Sequence, residues 1–138
     1  MISHIQLNVS DLEAAVAFYL AALAPLGFRR ADGSDGYVRI SNDLDSVIVL
    51  CPVQTAYRAF AYHRRGLGLG HFALSVESRG VVDGMAAHLG SLGIPLLGEG
   101  VVEIGYRRGY YTLAFEDLDR IMVEIVHHDP FYFSALAP

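Results

Sequence analysis

The chain has 138 residues and a mass of 15.1 kDa, enough for one compact domain with a sizeable core and too short for two ordinary ones. Hydrophobic residues make up 53% and charged residues 18%, a balance that excludes a disordered chain. A net charge of −5, with arginine as every fixed cation and no lysine anywhere, excludes the basic footprint of a nucleic-acid binder.

The N-terminal string lacks a basic stretch followed by an uninterrupted apolar run, and no segment reaches the roughly 18 apolar residues of a membrane span. The expectation is a cytoplasmic protein with no leader and no membrane anchor. Cys51 is the single cysteine, so no intrachain disulfide and no multi-cysteine zinc site can form.

In chain order, His4-Ile-Gln-Leu-Asn-Val9 alternates as a strand does, Ile5, Leu7 and Val9 on one side and His4, Gln6 and Asn8 on the other. Ser10 with Glu13 reads as a capping box for a helix over residues 12 to about 23, in which Val16, Leu20 and Leu23 recur at helical spacing. Gly27 suits a left-handed stop. A short strand near 28–31, turn residues at 32–36, a strand over 37–41, a turn at 41–45 and a strand over 46–51 complete the first half. Residues 52–70 then form a connector, with a helix expected over 55–63 and a glycine-rich lead over 66–70. That lead is no phosphate loop, because no Lys-Ser or Lys-Thr follows and a strand comes next. The second half repeats the grammar: His71-Phe-Ala-Leu-Ser-Val76, a helix from 81 to about 92 carrying Met85 and Leu89, then strands over 101–104, 110–115 and 121–126, the last two joined by a turn at 117–120.

A shift of 67 residues lays His4 on His71, and a shift of 75 lays Val49 on Glu124. The chain therefore reads as an α+β protein of two βαβββ modules in tandem. Module one covers about 1–52, the linker about 53–69 and module two about 70–128.

The repeat puts His4 and His71 at equivalent places. Glu124 lies in a strand where alternation groups it with Met122 and Val126, opposite Val123 and Ile125. A carboxylate among apolar neighbours needs a partner, since burying it alone costs several kcal/mol, roughly. Two imidazoles and one carboxylate on neighbouring strands can occupy one face of an octahedron and leave the rest for substrate oxygens. Each residue alone also has a plain structural reading, as a strand-end histidine or as a glutamate paired with arginine; the three together point to one divalent ion. Val49 leaves the fourth symmetric position without a ligand.

These strings, together with Ala17-Phe18-Tyr19, Gly70-His71-Phe72 and the closing Tyr111 to Glu124 segment, resemble the vicinal-oxygen-chelate superfamily of glyoxalases, bleomycin resistance proteins and extradiol dioxygenases. The resemblance implies curved mixed sheets around a metal cleft, and it places the family's metal ligands on His4, His71 and Glu124. It also implies one divalent ion, Fe, Mn, Ni or Zn, and a small-molecule substrate with vicinal oxygens. A homodimer is implied too, in which His4 of one chain can complete a site with His71 and Glu124 of the other.

Three departures matter. Val49 replaces the second carboxylate of glyoxalase-like isomerases, which leaves Glu99, Glu103 or another group to supply a base. Ala114 stands where extradiol dioxygenases carry a tyrosine, although Tyr110 and Thr112 share its side of the strand. The turn Asp117-Leu-Asp-Arg120 lacks the family's Pro and Gly. Tyr110 and His127 are the candidate catalytic residues. The basic group His63, Arg64 and Arg65 could receive an anion, and Cys51 reads as a buried inert thiol. Two functions fit: a metal-dependent lyase or dioxygenase of this superfamily, or a metal-free binding or sequestration protein of the bleomycin-resistance type.

Overall fold

The structure, a computed structural model, describes residues 2–60, 62–105 and 109–129. The first half contains β1 (Ile5–Val9), α1 (Leu12–Ala22), β2 (Arg29–Ser34), β3 (Tyr37–Ser41) and β4 (Val47–Pro52). The second contains β5 (Phe72–Ser75), α2 (Arg79–Ser91), β6 (Val102–Glu103), β7 (Tyr111–Glu116) and β8 (Met122–His127). Each half makes its own four-stranded sheet, in the orders β1-β4-β3-β2 and β5-β8-β7-β6. The pairs β1/β4 and β5/β8 are parallel and the others antiparallel, so both halves are βαβββ modules of an α+β fold.

The repeat holds at the level of register. Val38 pairs with Leu50 in the first sheet and Leu113 with Ile125 in the second, each offset by 75 residues. Gln6 pairs with Val49 as Ala73 pairs with Glu124. The chain divides into two compact units, Met1–His63 with Asp117–Arg120, and Arg64–Glu116 with Ile121–Pro138.

In the first unit the apolar alternation buries Leu7, Val9, Val38, Ile40, Ile48 and Leu50 on one sheet face, where Ala15, Val16, Tyr19 and Ala22 of α1 pack. In the second, Val82, Met85 and Leu89 of α2 cover Leu113, Phe115, Val123 and Ile125. Each fully buried aliphatic contributes about 1.5–3 kcal/mol, so these stripes fix which sheet face turns inward. The other face of each sheet is left to carry function.

Several boundaries differ from expectation. Asp11, not Ser10, caps α1, its Oδ1 accepting from the Ala14 N–H at 3.0 Å. Ser10 instead donates its own N–H to Asp119 Oδ2 at 2.9 Å. Gly27 does adopt the left-handed conformation, with φ 75, but it ends a 3-10 turn, Ala24–Leu26, inserted after α1. Among the described residues the helix expected over 55–63 shrinks to a single 3-10 turn, Thr55–Tyr57, and residue 61 lies outside them. Residues 54–60 are all exposed, so no apolar face is available to stabilise a longer helix there.

The turn at 117–120 belongs to the first unit. Tyr19 donates its buried hydroxyl to Asp117 Oδ2 at 2.8 Å, and Asp117 Oδ1 accepts from the Asp119 N–H at 2.9 Å. Arg120 takes a left-handed φ of 65 where the family's turn has glycine.

Candidate metal centre

His71 precedes β5 and Glu124 sits in the middle of β8, next to β5 in the same sheet. Parallel pairing sets Ala73 against Glu124, and the two side chains meet with His71 Nε2 3.3 Å from Glu124 Oε2. Their exposures differ, 49% for the imidazole and 9% for the carboxylate. An exposed imidazole side chain therefore lies beside a buried carboxylate.

The other carboxylate oxygen is already engaged. Glu124 Oε1 accepts from the Thr112 hydroxyl at 2.8 Å and from the Tyr110 hydroxyl at 3.2 Å. Ala114 lies directly across from Glu124 on β7, so Thr112 shares that face of the adjacent strand, and Tyr110 reaches the same oxygen from the residue just before the strand. Tyr110, Thr112 and Glu124 are all buried. Glu116, two residues beyond Ala114 on that face, forms an ion pair with Arg64.

The remaining candidates fall elsewhere. His4 is exposed in the first unit, with Ser3 Oγ 2.9 Å from its Nδ1. Among the described residues no group of three or more His, Cys, Asp and Glu side chains that could hold a metal is found, so the assembled part of the proposed ligand set is the pair His71 and Glu124. His127 ends β8 on the Val123 and Ile125 side, its Nδ1 3.2 Å from the Val76 carbonyl. Glu103 is bound by both terminal nitrogens of Arg79, and that guanidinium holds its carboxyl below the usual range. Val49 stands on the equivalent strand position of the first sheet, opposite Arg39. Cys51 is half-buried rather than enclosed.

Do these residues suit a divalent ion? An imidazole nitrogen and a carboxylate oxygen form the mixed donor set that such ions take, and hydroxyl donors on the far carboxylate oxygen are the support that metal-ligating carboxylates receive. The donor chemistry fits. Thr112 is the participant that sequence reasoning passed over: its side of the strand was legible, its bond to Glu124 was not.

Comparison with known proteins identifies the family and the fold. The profile of the Glyoxalase/Bleomycin resistance protein/Dioxygenase superfamily matches residues 1–125, and the chain belongs to that superfamily. Its members commonly bind a divalent metal. The uncharacterized protein YqjT of Bacillus subtilis strain 168 is 32% identical over 123 residues, 89% of this chain and 95% of that protein. A provisional glyoxalase from Bacillus halodurans, known as a crystal structure, is 28% identical with a TM-score of 0.80, covering 92% of this chain and 95% of its own. At 17% identity and a TM-score of 0.70, the fosfomycin resistance protein FosX of Listeria monocytogenes shares the fold, over 96% of this chain and 93% of its own. That structure is of a glutamate-to-glutamine mutant with Mn(II) and 1S,2S-dihydroxypropylphosphonic acid.

Proposed function

We propose that this protein is a metal-dependent enzyme of the glyoxalase or dioxygenase type, acting on a small molecule with two vicinal oxygens. His71 and Glu124 would hold the ion, with His4, the repeat counterpart of His71, as the third ligand. One observation carries the reading: a buried strand carboxylate has one oxygen taken by two hydroxyls and the other beside a nitrogen of an exposed histidine side chain. The pairing of Mn(II) with a vicinal diol in FosX, a protein of the same fold, is consistent with it.

A divalent ion of the Fe, Mn, Ni or Zn kind would supply Lewis acidity to two adjacent substrate oxygens. The chain's own contribution is to present donors in a fixed geometry, on a sheet face turned away from the helix. It offers no carboxylate at Val49, so proton abstraction from carbon, the isomerase step, lacks an acceptor at that position. Glu103 does not replace it, because Arg79 occupies its carboxylate. Tyr110 has its hydroxyl on Glu124, which makes it part of the ligand's support, and His127 faces the other side of β8. We read the substrate as one bound and activated by chelation, in a cytoplasmic setting. A second reading, a metal-free sequestration protein, draws on the His71 and Glu124 contact itself, since the two side chains can satisfy each other.

Elemental analysis and calorimetric titration with Mn(II), Fe(II), Ni(II) and Zn(II) separate the two. The enzyme reading expects one ion per chain, a loss on the order of 100-fold or more in affinity for His71→Ala, and turnover in a metal-reconstituted screen of methylglyoxal-thiol adducts, catechols and epoxides. Turnover or ion binding retained in full by His71→Ala would falsify it.

A further inference from the structure

The two oxygens of Glu124 are treated differently by their surroundings, and the difference says more than that a buried charge has found partners. Oε1 receives both hydroxyl contacts, from Thr112 at 2.8 Å and Tyr110 at 3.2 Å. Oε2 has His71 Nε2 at 3.3 Å. Thr112 has one proton and two competing acceptors, the Ile125 carbonyl at 2.9 Å and the Leu113 carbonyl at 3.3 Å. A hydrogen bond to a carboxylate is roughly twice as strong as one between neutral groups, so the proton goes to Glu124. The threonine is also β-branched and stiff at its first torsion, which holds the donor in place.

A single donor would have prevented an unsatisfied oxygen. Two donors, one on β7 and one just before it, converge on the same oxygen, an arrangement suited to stop the carboxylate from rotating to offer both oxygens at once. We propose that Thr112 and Tyr110 are positioning residues that fix Glu124 as a one-oxygen ligand, with Oε1 locked and Oε2 presented beside His71. The inference rests on the reading of Glu124 as a metal ligand, and it deepens that reading toward ion selectivity. Calcium collects many oxygens and readily takes a carboxylate through both of its own, whereas Mn, Fe, Ni and Zn suit a site of two imidazoles and a carboxylate. A locked Oε1 therefore disfavours calcium.

The experiment is calorimetric titration of the full chain with Mn(II) and with Ca(II), on wild type, Thr112→Val, Thr112→Ser and Tyr110→Phe. Thr112→Val keeps the branched shape and removes the donor; it should weaken Mn(II) binding by about 10- to 100-fold and narrow the preference for Mn(II) over Ca(II). Thr112→Ser should return Mn(II) affinity to within about 3-fold of wild type, and Tyr110→Phe, with the longer contact, should lose up to about 10-fold. Tyr110→Phe removes a single oxygen atom and serves if Thr112→Val does not fold. Mn(II) affinity unchanged in both Thr112→Val and Tyr110→Phe overturns the inference, as does a parallel fall for both ions, the mark of a general structural lesion. If wild type itself binds no Mn(II), Fe(II), Ni(II) or Zn(II), the metal reading fails and this inference goes with it; if wild type binds and the variants match it, only the inference fails.

Discussion

Tyr19 is fully enclosed, and its hydroxyl donates to Asp117. Burial, then the charge and hydrogen bond of Asp117, push its phenol far above the ordinary range. The sign follows directly. The folded chain keeps this proton while the unfolded chain releases it near pH 10, so the contribution to stability is complete below about pH 10 and declines as pH rises further. The limiting slope is about 1.4 kcal/mol per pH unit. Urea midpoints measured at pH 8, 9.5 and 11 should fall between the last two, and Tyr19→Phe should flatten that fall; an equal fall in the variant would remove Tyr19 as its source. Tyr111, raised in the same direction by its hydrogen bond to Asp83, is only half-buried and adds little.

Individual residues also differ in how far the sequence revealed them. Glu124 was legible because a carboxylate in an otherwise apolar strand demands an explanation. His71 was legible through its repeat partner. Thr112 was not, since threonine is an ordinary strand residue and reach across to Glu124 depends on side-chain torsions that no spacing encodes.

For the elements, alternation and repeat were enough to order the eight described strands and both helices, while their ends depended on local detail. The turn expected over 32–36 contracts to two residues because β2 runs on to Ser34. A bulge between Arg30 and Asp32 shifts its register, and Gly33 lets it pass close to β3. A Cβ at Gly33 would lie 2.7 Å from the Tyr37 carbonyl oxygen and 3.1 Å from Val38, both on the facing strand. Gly33→Ala is therefore expected to cost about 1–3 kcal/mol, as overpacking does. At Gly36 the nearest atom is Ser34 Oγ at 3.9 Å, so Gly36→Ala should stay within about 0.5 kcal/mol. Equal thermal midpoints for the two variants would show that β2 can move aside.

At the scale of the whole molecule, duplication made the two βαβββ modules readable, while the strand order and the parallel β1/β4 and β5/β8 pairs came from the structure. How ligands are shared between copies was not readable, because one pattern of residues serves a site within a chain and a site across a dimer equally well. The family resemblance favours a homodimer with His4 supplied across it. Sedimentation equilibrium should then find a dimer at micromolar concentration, with ion affinity falling as the protein is diluted toward monomer. A monomer that keeps its ion at high dilution would leave no role for a second copy.

The two halves differ by more than one acid. Where the second sheet sets Glu124 across from Ala114, the first sets Val49 across from Arg39, whose guanidinium is paired with Asp32. A glutamate introduced at position 49 would meet a cation before it met any metal. Placing an acid in the first half thus calls for removing the arginine as well, since the two would otherwise pair across the strands.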